Sequence, residues 1–225
     1  MQYATDLSGA APADVRDVVE GIIAAERIDI AALREAGKTG RVFIAKDTRP
    51  SSESLSARVR AGVEALGAAV TDFGLFTTPE LHFVVRETNA GRASRASVAG
   101  YAAMMRHAYA DLLDGSEQAA SAAARGPVVI DCANGVGGIA GAVVRDAMAP
   151  LVDLRLRNTG STPAEVLSMN DGCGAEHCQK ERLPPLGFSA AADGGARCAS
   201  LDGDADRLVY HYFDAPAAGG SWVRQ

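Results

Sequence analysis

Three carboxylates, Asp202, Asp204 and Asp206, stand at alternate positions in the run Leu201-Asp202-Gly203-Asp204-Ala205-Asp206-Arg207. Carboxylates are hard oxygen donors, and three converging on one point suit Mg²⁺ or a similar divalent ion. A straight strand would not let them converge: alternate residues lie about 6.6 Å apart, which puts Asp202 and Asp206 roughly 13 Å from one another. An ion with ligands near ~2.1 Å needs a loop that curls, and the small residues Gly203 and Ala205 allow it. Arg207 would be superfluous in a site that only stores a cation, whereas its guanidinium suits a phosphate brought to the metal. An EF-hand loop also begins D-x-D-x-D, but it needs Gly at its sixth position and Glu at its twelfth. Arg207 and Phe213 occupy those places. A solvated acidic turn is the plainer alternative. The flanks oppose it, because Ala196 to Leu201 is mostly small or apolar and Leu208 to Phe213 reads as a strand.

Other segments have weaker claims to chemistry. Asp47-Thr48-Arg49-Pro50-Ser51-Ser52 falls where a strand ends and a helix begins. Backbone N–H groups there favour anions, and Arg49 could pair with a phosphate. Equally, Ser51 could cap the helix while Arg49 bonds a surface carboxylate. Thr77-Thr78-Pro79-Glu80 has the make-up of a helix start, with a capping Thr, Pro in the first turn and an acid after it. Gly135-Val136-Gly137-Gly138-Ile139-Ala140 invites a dinucleotide reading, but its third glycine is misplaced. Arg155 and Arg157 stand where an acidic residue should end the next strand. Cys132, Cys173, Cys178 and Cys198 form no C-x-x-C; with His177 beside Cys178, isolated reduced thiols are still the expectation over a metal cluster. None of the four histidines sits near a Ser or Cys with a nucleophile signature.

The elements that must position these residues alternate. Residues 12–36 have a helical pattern in Val15, Val18, Val19, Ile22 and Ile23, and Gly37 and Gly40 follow as punctuation. A strand over Arg41–Ala45 precedes a helix from about Glu53 to Leu66 with Leu55, Val59, Val63 and Leu66 expected inward. A strand over Ala69–Phe73 and a helix to about Glu87 come next. After an Ala/Ser-rich stretch at 114–126, Val128–Ile130 opens a second unit whose helix runs to about Met148. A strand over Leu151–Leu156, a loop-rich 158–175 and a short helix over Gly174–Arg182 complete it. Strand and helix in alternation predict an α/β fold with mixed, largely parallel sheets.

A chain of 225 residues, 48% hydrophobic and 22% charged, describes a globular protein of one or two domains. A net charge of −6 without any Lys/Arg cluster argues against nucleic acid as a partner. No apolar run approaches the ~20 residues that span a bilayer. Met1 to Asp6 lacks the basic-then-apolar pattern of a signal peptide, so the expected location is the cytoplasm. No repeat of 20–50 residues is present.

Five stretches together resemble the α-D-phosphohexomutases: Asp47-Thr48-Arg49-Pro50-Ser51-Ser52; Gly74-Leu75-Phe76-Thr77-Thr78-Pro79-Glu80-Leu81-His82; Asp131-Cys132-Ala133-Asn134-Gly135-Val136-Gly137; Cys173-Gly174-Ala175-Glu176; and Asp202 to Tyr210. The resemblance covers about residues 12–214, and the second and third stretches point to the branch acting on N-acetylglucosamine phosphates. It implies four domains around a deep cleft and interconversion of N-acetylglucosamine 6-phosphate and 1-phosphate, supplying UDP-N-acetylglucosamine synthesis. It also implies a phosphoserine donor, a bisphosphate intermediate, and Mg²⁺ held by the three Asp and a phosphoserine oxygen. On that basis Asp202, Asp204 and Asp206 are the expected metal ligands, Arg207 a contact to the transferring phosphoryl, and Arg49 a substrate contact. Residues 1–115 are expected to form the remainder of the family's first domain, 116–126 a linker, and 127–225 the second domain with the metal loop. The family's nucleophile lies in a T-A-S-H-N-P loop, and Ser-His-Asn-Pro occurs nowhere here. The expectation is therefore a piece of a longer enzyme, inactive alone. Spacing by itself yields only an α/β protein with a carboxylate metal loop. Another phosphohexomutase (a phosphoglucomutase or phosphomannomutase), a Mg²⁺-dependent phosphatase-like protein, and a non-catalytic interaction fragment are the other readings.

Overall fold

The computed structural model describes residues 12–35, 40–114, 126–149, 151–214 and 221–224. The first helical stretch divides into α1 (Pro12–Ala25) and α2 (Ile30–Glu35). The unbroken helix expected over 12–36 fails at Arg27, whose φ of 52° leaves the right-handed helix. Asp29 then starts α2 by accepting from the Ala32 N–H at 2.8 Å. Val18, Ile22 and Ile23 are half-buried; the side chains of Val15 and Val19 lie outside the described residues, as does Gly37.

Strand β1 (Arg41–Lys46) pairs in parallel with β2 (Ala69–Leu75), with Arg41 opposite Ala69 and a register shift between Ile44 and Lys46. Helix α3 (Ser52–Ala65) is the crossover between them. Its expected inward face is only partly inward: Val63 is half-buried, whereas Leu55, Val59 and Leu66 are exposed. Among the described residues β1 is paired along one edge only, so the helix overhangs the sheet, and Leu55 and Val59 line an open groove beside β1. Helix α4 (Thr78–Asn89) follows, then a 3₁₀ turn at Ala93–Arg95 and α5 (Val98–Asp114), a long Ala-rich helix for which the sequence offered no strong stripe. Phe83 and Val84 of α4 are buried, and the Phe83 ring meets Tyr101 of α5 edge to face at 5.6 Å. Glu87, buried on the same helix, is bonded by Arg86 and Arg92. The Arg92 bonds, with those of Arg86, outweigh burial and hold its carboxyl near 2.

The second sheet has the order β4-β3-β5-β6-β7, built from β3 (Val128–Asp131), β4 (Leu154–Arg157), β5 (Arg197–Leu201), β6 (Leu208–Phe213) and β7 (Trp222–Arg224). The first three strands are parallel and the last two add on antiparallel. The fold is thus α/β with mixed, largely parallel sheets, as expected. Helix α6 (Gly137–Met148) links β3 to β4. The β4 strand starts later than expected because the Leu151 and Val152 N–H groups both bond Met148 O and prolong the helix end. The stretch expected to be loop holds α7 (Pro163–Leu167), begun by a capping box between Thr162 and Glu165. Short helices α8 (Gly174–Lys180) and α9 (Ala190–Asp193) precede β5, and β7 went unread because three residues carry no periodicity. Of the expected linker 116–126, only Gly126 is among the described residues.

The core here joins Val129, Phe188, Ala196, Cys198 and Phe213, with Trp222 packed against it. All four cysteines are free and buried. Burial pushes the Cys132 and Cys173 thiols up to about 12 and that of Cys198 to about 11, which makes them inert. Arg157 grips buried Asp193 through both guanidinium ends, at 2.9 and 2.7 Å, and lies over the Phe188 ring.

His211 is fully buried. The Trp222 Nε1–H donates to its Nδ1 at 3.1 Å, which leaves the proton on Nε2 facing Ser200 Oγ, also at 3.1 Å. Burial lowers its pKa to about 4, against the opposing pull of Asp131 and Asp193. An unfolded imidazole protonates near ~6.5. Between those values the unfolded chain binds the extra proton, so stability falls as pH drops from about 6.5 toward 4. In denaturant titrations at pH 7 and 4.5, His211→Gln is expected to lose less stability on acidification than wild type. Identical losses would contradict the assignment.

Candidate metal centre

The Asp loop spans the end of β5 and the start of β6, and it curls as the three-ligand geometry requires. Ala205 takes a φ of 60°, and its N–H closes a turn onto Asp202 O at 3.1 Å. One oxygen from each of Asp202, Asp204 and Asp206 falls within 4.8 Å of the others, with Asp202 buried, Asp204 half-buried and Asp206 exposed. Octahedral Mg²⁺ with ligands at ~2.1 Å spans about 4.2 Å between opposite oxygens, so the donor set fits such an ion with little closure. Among the described residues no other group of His, Cys, Asp and Glu is placed to share an ion. Asp206 has a raised pKa through lost solvent and then the charges of Asp204 and Asp202, a repulsion that a divalent cation would relieve.

Arg207 closes the loop on itself. Its backbone N–H donates to Asp202 Oδ1 at 3.1 Å and its Nε to Oδ2 at 2.8 Å. Burial works against ionisation of Asp202, but these bonds outweigh it and hold the carboxyl below its usual range. The guanidinium is half exposed and also lies 3.8 Å from Glu176 and from Asp206.

The turn after β3 supports this loop. A Cβ on Gly135 would come within 2.3 Å of Gly203 O, and the Val136 N–H donates to that same oxygen at 3.1 Å. The glycine-rich segment Gly135–Gly138 is packed against protein backbone on Gly203 and Thr159. Buried Asp131 organises the turn: its carboxylate accepts from the Ala133 N–H at 3.0 Å, Asn158 Nδ2 at 2.9 Å and the Gly174 N–H at 2.7 Å. The sequence placed Asp131 only at the head of one family-like stretch and assigned it no role. An acid ending a buried strand ahead of Ala133 and Asn134, both at positive φ, was the available signal.

The first sheet's loops meet the Asp loop from the other side. Thr78 donates to Asp204 through both its hydroxyl and its N–H. Thr77 and Glu80 form the expected capping box. Arg49 is brought to the site: a Cβ on Gly203 would lie 3.2 Å from its Nη2. Its Nη1 pairs with Asp47, which also accepts the Arg49 N–H and the Ser52 hydroxyl. Ser51 makes no capping bond; Ser52 and Asp47 fix this corner instead. Between the two sides lies a groove of about 470 Å³, whose polar wall carries Lys46, Arg49, Ser51, Thr77, Thr78 and Asp204. Two cationic side chains line this groove, Lys46 paired with Glu53 and Arg49 with Asp47, and of the Asp loop Asp204 reaches its wall; a phosphate could compete with those acids for the two cations.

Comparison with known proteins bears on the family and the fold. Residues 13–98 match the family model for phosphoglucomutase/phosphomannomutase, alpha/beta/alpha domain I. Phosphoacetylglucosamine mutase of Mus musculus is 38% identical over 95% of this chain, and that of Arabidopsis thaliana 35% over 94%. The chain spans 37% and 36% of the length of those curated relatives. Among solved structures, N-acetylphosphoglucosamine mutase of Aspergillus fumigatus in complex with GlcNAc-6P and magnesium is similar at 28% identity and a TM-score of 0.73, over 99% of this chain and 41% of that one. An N-acetylglucosamine-phosphate mutase in its product complex is similar at 26% identity and a TM-score of 0.78, over 99% and 39%. With its carboxylate loop, its mixed α/β sheets and these relatives, the chain belongs to the α-D-phosphohexomutase superfamily.

Proposed function

We propose that this chain is the metal-loop portion of a phosphoacetylglucosamine mutase, an isomerase that moves a phosphoryl group between the 6- and 1-positions of N-acetylglucosamine phosphate. Residues 1–115 would serve as its first unit and 127–225 as its second, joined through 116–126. The observation that carries the reading is the convergence of Asp202, Asp204 and Asp206 on one point, with Arg207 bonded to Asp202 and Arg49 reaching Gly203 of the same loop. Bound there, Mg²⁺ would neutralise charge on a transferring phosphoryl group. Asp202, Asp204 and Asp206 would hold the ion. Arg207 would turn its free guanidinium edge to the phosphoryl oxygens while Asp202 keeps the side chain in place. Arg49, held by Asp47, would bind a substrate phosphate across the groove. The net charge of −6 and the lack of any described helix able to cross a membrane are consistent with a cytoplasmic enzyme of small phosphorylated sugars.

The test is calorimetric titration of Mg²⁺ into the wild-type chain and an Asp204→Ala variant. Wild type is expected to bind weakly, because the three carboxylates supply only half of an octahedral shell, and the variant to lose the binding heat. Equal heats from the two proteins would remove the site assignment.

A further inference from the structure

We propose that Thr78 is a positioning residue for the cation site, orienting the Asp204 carboxylate from the neighbouring sheet's unit and thereby setting cation affinity. The inference rests on the cation reading of the Asp loop given above and deepens it. Thr78 Oγ donates to Asp204 Oδ2 at 2.7 Å, and the Thr78 N–H donates to Asp204 O at 3.1 Å, across 126 residues of sequence. One residue thus fixes both the main chain and the side chain of another. A hydroxyl carries a single proton, and here it is spent on Oδ2. Asp204 Oδ1 and the remaining lone pair of Oδ2 are left for an ion.

The donor is itself held firmly. Glu80, 2% exposed, accepts from the Thr77 N–H at 2.9 Å and from Thr77 Oγ at 3.0 Å, and the Glu80 N–H returns a bond to Thr77 Oγ. Thr78 follows directly on this closed box, and its β-branched side chain has few rotamers to explore. Asp204, by contrast, sits between Gly203 and Ala205 in a curled loop and has no regular element to orient it. Without the Thr78 hydroxyl its carboxylate would swing among rotamers, and a ligand's partner of this kind typically governs metal affinity by about tenfold or more. By reciprocity, an ion that holds Asp204 also holds Thr78 and the start of α4.

The experiment titrates Mg²⁺ by calorimetry and Mn²⁺ by electron paramagnetic resonance into the full 225-residue chain. Thr78→Val keeps the shape and removes the proton; it is expected to weaken both ions by about tenfold or more. Thr78→Ser retains the hydroxyl and should stay close to wild type, a rescue that mere packing at this position would not give. Asp204→Ala should bind neither ion. If wild type itself takes up no ion, the cation reading fails. If wild type binds, Asp204→Ala does not, and Thr78→Val matches wild type, the role given to Thr78 falls while the site stands. Wild type also gives a measure that needs no variant. Saturating Mg²⁺ should slow hydrogen exchange of the Thr78 amide, and unchanged exchange would overturn the proposal even if the valine variant failed to fold.

Discussion

Replacing Asp131 by alanine is expected to cost about 3 kcal/mol of folding stability, because two buried backbone donors lose their acceptor together and the half-buried Asn158 amide loses one of its two. The carboxylate takes the Ala133 N–H, the Gly174 N–H and Asn158 Nδ2, and at the two buried backbone groups water has no access to stand in. Against a total of roughly 5–15 kcal/mol for a domain, that loss reaches a large share of what holds the fold. Asn is a poor rescue, since its amide would turn N–H groups toward donors already there. The loss is not confined to stability. Gly174 begins α8, which carries Glu176 to within 3.8 Å of Arg207, and Ala133 begins the turn whose Gly135 packs on Gly203. Denaturant titration with a second probe near Trp222 measures the effect. A variant within about 1 kcal/mol of wild type would show that Asp131 is not the organiser described, since ordinary surface changes stay within ~0.5 kcal/mol.

Residue by residue, legibility followed the range of the interaction. The convergence of the Asp loop was legible because its small spacers, Gly203 and Ala205, permit the curl that brings three acids at alternate positions together. The capping box of Thr77 and Glu80 was legible because its bonds run within one turn. The same local logic failed for Ser51, where Asp47 captured the neighbouring Ser52 instead. Leu55 and Val59 were read as core from their spacing, yet spacing reports a face and not what covers it; the described sheet does not reach them. Helix α1 was overrun because one residue at positive φ, Arg27, leaves no trace in an amphipathic pattern. Asp131 and Thr78 matter through partners 27 to 126 residues away, and only the fold brings those partners near. The loop's chemistry was therefore written in its own residues, while its support was written in the topology.

The 225-residue chain by itself is expected not to convert N-acetylglucosamine 6-phosphate to the 1-phosphate, even with Mg²⁺ and a hexose bisphosphate present. Moving a phosphoryl group between two hydroxyls of one sugar needs a group that takes it from one oxygen and returns it to the other. Three of the hydroxyls that line the groove are otherwise engaged: Thr78 donates to Asp204, Ser52 to Asp47, and Thr77 to Glu80. Ser51 and Ser56 also line the groove, but neither has a histidine or other base bonded to it among the described residues, and His211 is buried with Ser200 and Trp222. Of the loop's carboxylates, Asp202 is bonded by Arg207, which lowers its strength as a nucleophile. A coupled assay on the purified chain decides the matter. Turnover approaching the ordinary ~10 s⁻¹ of enzymes and lost in Asp204→Ala would reveal a nucleophile within these residues, and Ser51→Ala would then be the first variant to examine.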